Sequence, residues 1–292
     1  MTLSSYSFDT LIDSGAFGSI CSCHNRYNNT DYSCEIIPME IKNNEQQLQV
    51  FKHEIRLNAQ INHPNIIKLV DVMIDSNNIY TIFDSFIGVT LDSMVQKNNG
   101  IDEQTAAKYF KQIMSGISYL HHRGIAHKEI SLKSIHVLMD NTIKITEFGV
   151  YRHPSKSSGM TFVYMPPEVL LEKSFDKFKA DIWTAGICLY AMTANHMPWT
   201  VNESTPIENI WEDIESQICS GEIIFDDNQS EMLQDLLSQM LSIEPDFRPD
   251  ADEILNHPWI EMMAPDENID TPEPNQKIIY TVNSLINDID NK

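Results

Sequence analysis

Through residue 85 the apolar positions come in short runs broken by turn residues, the pattern of strands and tight connections. One stretch differs: Leu48, Phe51, Ile55 and Leu57 interrupt a polar run at near-helical spacing and predict a helix over about 46–60. From about 102 the period changes. Asp102 is placed to cap a helix whose buried face is Phe110, Ile113, Met114, Ile117 and Leu120, spaced i, i+3, i+4. A short strand-rich stretch, Ile135 to Ile145, precedes mainly helical sequence to about 262. Strands first and helices later predict an α+β chain of two lobes. Three prolines between Ala264 and Pro274 mark a linker. Beyond it Ile278, Val282, Leu285, Ile286 and Ile289 share one face of an amphipathic helix, able to pack on its own domain or on a partner.

The composition is that of a globular chain: 292 residues, 42% hydrophobic and 21% charged. No apolar run is long enough to span a membrane, and the first ten residues carry no secretory pattern. Cysteines 21, 23, 34, 188 and 219 are odd in number and scattered, which suits a reduced, cytoplasmic setting. Cys21 and Cys23 have no second Cys/His pair to complete a zinc site. The net charge of −22 argues against nucleic acid and anionic membrane as partners. That charge is uneven. Residues 201–260 hold 15 acids and one base, Arg248, and 261–292 hold seven acids and two lysines. The acidic last third reads either as a solvated face or as a docking surface for a basic protein partner.

Eight short motifs follow one another along the chain. Asp13-Ser14-Gly15-Ala16-Phe17-Gly18-Ser19-Ile20 lies between two strand-like runs, followed by His63-Pro64-Asn65-Ile66, His127-Lys128-Glu129 and Glu147-Phe148-Gly149. Then come Met165-Pro166-Pro167-Glu168, Asp181-Ile182-Trp183, Phe247-Arg248-Pro249 and His257-Pro258-Trp259-Ile260. In this order and spacing the chain resembles the protein kinase catalytic domain from about 6 to 262. The later motifs resemble most the serine/threonine calcium/calmodulin- and AMP-kinase-like group. The resemblance implies a small β-rich N-lobe with one key helix at 6–86 and a larger helical C-lobe at 87–262. The acidic linker and amphipathic segment at 263–292 then stand outside both lobes.

The resemblance also implies a nucleotide site, and there this sequence departs from the pattern. Ile12, Gly15, Gly18 and Ile20 frame the expected phosphate loop, but Asp13 replaces its first glycine. Glu35 stands where a strand lysine would hold phosphates, while its expected helix partner Glu54 is present. At about 4 Å such like charges repel by roughly 4 kcal/mol, so they must part, protonate or recruit a cation. In the catalytic loop Glu129 replaces the aspartate, Ser131 the lysine and Ser134 the metal-binding asparagine; Glu147 replaces the metal-binding aspartate. Glutamate moves a carboxylate by about 1.5 Å, and misplacement near 1 Å can cost about 100-fold in rate.

Around the adenine, Ser33 and His136 stand at apolar positions, Phe83 at the gatekeeper, Asp84-Ser85-Phe86 at the hinge, and Asn58 within an apolar spine. The structural positions are kept: His127 and Phe148 with Leu69, Glu168 with Arg248, and Asp181. The resemblance therefore implies a pseudokinase that signals as an allosteric or scaffold partner, using no ATP/Mg or using it weakly. The alternative is a divergent serine/threonine kinase working through Glu129 and Glu147.

Overall fold

A computed structural model describes residues 3–15, 17–85, 88–146, 162–199, 206, 209–265 and 272–291. Contacts divide the chain into two compact units, Met1–Gly88 with Asp270–Lys292, and Val89–Ile269.

The first unit is built on five antiparallel strands: β1 (Tyr6–Ser14), β2 (Ser19–Asn25), β3 (Thr30–Pro38), β4 (Leu69–Ile74) and β5 (Asn78–Asp84). Their order in the sheet is β1-β2-β3-β5-β4. The expected helix is α1 (Glu45–Ala59), started by Asn44, whose side chain accepts from the Gln47 amide. The sheet buries both faces. Cys21, Cys23, Cys34, Tyr80 and Ile82 pack together, while Ile37, Leu69, Val72 and Ile79 join Leu48, Phe51 and Ile55 of α1 in a separate cluster.

The second unit opens with a three-stranded sheet, β6 (Val89–Thr90), β7 (Ile135–Val137) and β8 (Ile143–Ile145). Its helices are α2 (Leu91–Asn98), α3 (Glu103–His121), α4 (Pro167–Leu170), α5 (Lys177–Ala194), α6 (Ile210–Ser220), α7 (Glu231–Met240), α8 (Ala251–Leu255) and α9 (Pro258–Met263). Asp102 caps α3 by accepting from Thr105 N, and Phe110, Ile113, Met114, Ile117 and Leu120 are its buried stripe. Helix α5 is apolar nearly all round and, except for Thr184, buried from Ile182 through Met192.

Beneath α4 the Arg248 guanidinium, 1% exposed, forms a two-pronged pair with Glu168 at 2.6 and 2.8 Å. Its remaining N–H groups reach the carbonyls of Ser242, Lys179 and Ile243, so the buried charge is fully hydrogen-bonded. Among the described residues, no helix is long and apolar enough to cross a membrane.

The C-terminal segment packs on the first unit. It forms α10 (Gln276–Asn291), which packs on α1 and β4 within the first unit. Ile278, Val282, Leu285, Ile286 and Ile289 are all buried there. Periodicity identifies an apolar face but carries no information about what covers it.

Candidate nucleotide site

The residues that the resemblance assigns to a nucleotide fall in both units, and each group has its own geometry. In the first unit β1 runs into a tight turn, closed by Gly15 N donating to Gly18 O at 2.7 Å. Glu35 sits mid-strand on β3, opposite Ile20 of β2 and Thr81 of β5. Its Oε1 accepts the amide of Phe17 at 2.9 Å and that of Gly18 at 3.1 Å. Two backbone N–H dipoles aimed at one carboxylate oxygen form a small anion nest, here filled by the chain's own side chain.

The two glycines permit this approach. A Cβ at Gly15 would stand 2.3 Å from Glu35 Oε1, and one at Gly18 would stand 2.0 Å from Ile36 O. The Phe17 ring meets Phe51 of α1 edge-on at 5.5 Å, which ties the turn to the helix as well as to the strand. The charge conflict expected between Glu35 and Glu54 is thus met, on the Glu35 side, by amide hydrogen bonds. Glu54 is half-buried on α1, and its backbone carbonyl accepts from Asn58 Nδ2 at 3.0 Å.

The apolar end of this unit is also polar in places. Ser33 is 1% exposed between Ser22 and Phe83, with no hydrogen-bond partner for its hydroxyl among the described residues. An unmet buried hydroxyl costs about 1–3 kcal/mol. Phe83 is half-buried against Leu69 across the ladder. The Asp84 carboxylate accepts from Lys68 N at 2.7 Å, closing the end of the β4–β5 pair. Ile12 is exposed and Ile20 half-buried. Phe86 and the side chain of Asp13 lie outside the described residues.

In the second unit the catalytic-loop segment is organised by Asp181 of α5. Its carboxylate accepts from His127 N at 2.7 Å, Lys128 N at 2.8 Å and His121 Nε2 at 2.9 Å. Those bonds hold Lys128 in a left-handed conformation, φ 74°, which a non-glycine residue adopts only when its surroundings demand it. His127 is fully buried; Nδ1 accepts from Glu129 N at 3.2 Å and Nε2 donates to Thr146 O at 3.1 Å. Burial holds this imidazole neutral and lowers its pKa to about 4.

Ser134 is 3% exposed, and its hydroxyl works inside the loop. It accepts from Ser131 N at 3.0 Å and turns its proton toward the carbonyls of Glu129 and Ser131, at 3.0 and 3.1 Å. The Ser131 hydroxyl in turn accepts Ser134 N at 3.2 Å. Thr146 bonds Ser134 O through both its amide and its hydroxyl, at 2.9 and 3.1 Å. Glu129 is half-buried beside this knot, and His136 is half-buried between Thr90 and Lys144 in the small sheet. Glu147 and Phe148 lie outside the described residues. Among the described residues, no cluster of three ligand-type side chains could hold a metal ion.

Sequence reasoning thus names Glu35, Gly15 and Gly18 together, and the structure joins them through one carboxylate. It misses the amides of Phe17 and Gly18 as that carboxylate's partners. It also misses Thr146 as the tie on Ser134. Backbone donors leave no trace in residue type, although Gly15 and Gly18 mark where the backbone can come close.

Known proteins place the chain firmly. It is 28% identical over 260 residues to mouse sperm motility kinase 1, covering 87% of this chain and 51% of that protein. It is 26% identical to CBL-interacting protein kinase 5 of rice, covering 87% and 55%. To the probable serine/threonine-protein kinase MARK-B of Dictyostelium discoideum it is 29% identical, covering 91% and 38%. The chain thus spans about half or less of the length of these curated relatives. The protein kinase domain family matches residues 6–260, and with that match over most of its length the chain belongs to the protein kinase family.

Proposed function

We propose that this protein is a serine/threonine-type pseudokinase that acts as an allosteric or scaffold partner rather than as a phosphotransferase. The observation that carries the reading is the Glu35 carboxylate on the amides of Phe17 and Gly18. An anion already occupies the donors that a phosphate would use, and its charge repels the phosphates of a nucleotide. The Ser134 hydroxyl, drawn into the loop's own hydrogen bonds, supports the same reading on the metal side. On these residues Mg-ATP is a poor fit. The partner in this reading is a basic protein bound by exposed acidic surface, since the apolar face of α10 is already buried.

A divergent active kinase is the second reading. The Asp181 bonds that shape the catalytic loop are intact, and Glu129 keeps a carboxylate at the catalytic position. Calorimetry with Mg-ATP beside a radiolabelled transfer assay separates the two. The pseudokinase reading expects a dissociation constant weaker than about 1 mM and no transfer. Glu35→Lys is expected to tighten nucleotide binding without creating transfer, because Glu129, Ser131 and Ser134 are unchanged. Micromolar binding with transfer that disappears in Glu129→Gln would establish the active kinase instead.

A further inference from the structure

The resemblance gives the helix that carries Glu54 one tether, a lysine on β3, and this chain has Glu35 there with its carboxylate turned to the glycine turn. Helix α1 is nevertheless held from another direction. Lys52, two residues before Glu54, has a side chain only 6% exposed and forms an ion pair with Asp290 near the end of α10. Burying an ammonium is costly unless a carboxylate meets it, so this pair fixes one register of α10 on α1. The apolar side of α10 packs into the same cluster. At the other end Asn62 Nδ2, just beyond α1, donates to Glu273 O at 2.6 Å, which ties down the chain leading into α10. Phe51 lies inside this cluster and carries the Phe17 ring on its outer side. A continuous set of contacts therefore runs from Asp290 through α1 to the turn whose amides Glu35 occupies.

We infer that α10 is a built-in clamp. Through Lys52–Asp290 and the apolar seam it fixes α1, and through Phe51 and Phe17 it holds the glycine turn closed on Glu35. It takes over the positioning that the resemblance assigns to a lysine–glutamate pair. Lys52 and Asp290 are then positioning residues for α1. This goes beyond the pseudokinase reading and stands whether or not the protein transfers phosphate.

Hydrogen exchange on the full chain without nucleotide tests the clamp, so its outcome is separate from any ATP result. Asp290→Asn leaves Lys52 without its counter-charge and is expected to speed exchange of the 45–59 amides by at least about tenfold. Exchange at the amides of Phe17 and Gly18 should rise with it, while α3 in the second unit stays protected. The exchanged pair Lys52→Glu with Asp290→Lys is expected to restore most of the protection. Unchanged exchange at 45–59 in Asp290→Asn would overturn the clamp, as would a rise that the exchanged pair does not reverse. If Asp290→Asn instead speeds exchange in α1 and α3 alike, α10 is ordinary core and the inference also falls. Asp290→Glu keeps the charge, and wild-type-like protection there is expected.

Discussion

His127 shows how a single side chain carries the architecture of a loop. Its ring is buried, accepts from Glu129 N and donates to Thr146 O, so a second ring proton has no place in the folded state. The unfolded chain takes up a proton near pH 6.5, whereas burial delays this in the fold to about 4. Stability therefore falls as pH drops through that window, by up to about 3 kcal/mol, and the contribution is flat above it. Urea unfolding of wild type and His127→Gln at pH 7 and pH 4.5 checks this. The stability gap between them should narrow at the lower pH; an unchanged gap would mean the ring is charged or exposed. At this scale the sequence is informative where family position dictates a partner. Glu168 meets Arg248, and Asp181 meets the loop amides, as the motifs imply. It is uninformative for Ser134. A hydroxyl at an asparagine position could face a metal or the backbone, and only the loop conformation decides.

The turn between β1 and β2 is an element whose conformation is set by a residue from another strand. Charge reasoning says that Glu35 and Glu54 must part, protonate or recruit a cation, but it cannot say which donor meets the Glu35 carboxylate. The answer lies in backbone amides, which Glu35 reaches because Gly15 has no Cβ to keep it away, while Gly18 lets the turn lie against the Ile36 backbone. This makes the two residues energetically coupled. Gly15→Ala puts a methyl 2.3 Å from Glu35 Oε1 and should displace the carboxylate, at a cost of about 1–3 kcal/mol. In a Glu35→Ala background the three atoms nearest that methyl are gone, and the same substitution should cost much less. A double-mutant cycle by chemical denaturation should give a coupling of about 1–2 kcal/mol; additive costs would mean the contact contributes nothing. Helices follow the same rule of partial legibility. The 3.6-residue period marks α1, α3 and α10, yet α2 is short, follows directly on β6 with Thr90 as its cap, and leaves too few turns for a period to register. For α10 the buried side is readable, and its covering by α1 and β4 is not, because roughly 200 residues separate the partners.

On the scale of the whole chain the unbalanced charge has a direct physical consequence. Arg248, the single base of residues 201–260, is 1% exposed and paired with Glu168, so the described surface from 209 to 260 presents charge of one sign. Exposed acids include Glu212, Glu222, Glu231, Asp235 and Asp246. Exposed like charges repel across the solvent, and a net charge of −22 works against compactness. Salt weakens that repulsion over distances beyond the Debye length, which shrinks from about 30 Å at 0.01 M to about 8 Å at 0.15 M. The ion pairs inside the fold respond differently. Arg248 and Glu168 are both buried, so their pair is screened far less than the surface, whereas Lys52 is buried but its partner Asp290 is half exposed. Repulsion should therefore fall more than attraction as sodium chloride is added. The melting temperature is expected to rise by a few degrees between about 0.01 and 0.15 M, and the capture of a basic protein partner to weaken over the same range. A melting temperature that falls with salt would show that attractive surface pairs dominate, and the exposed acids would then be neutralised within the molecule rather than open to the proposed basic partner.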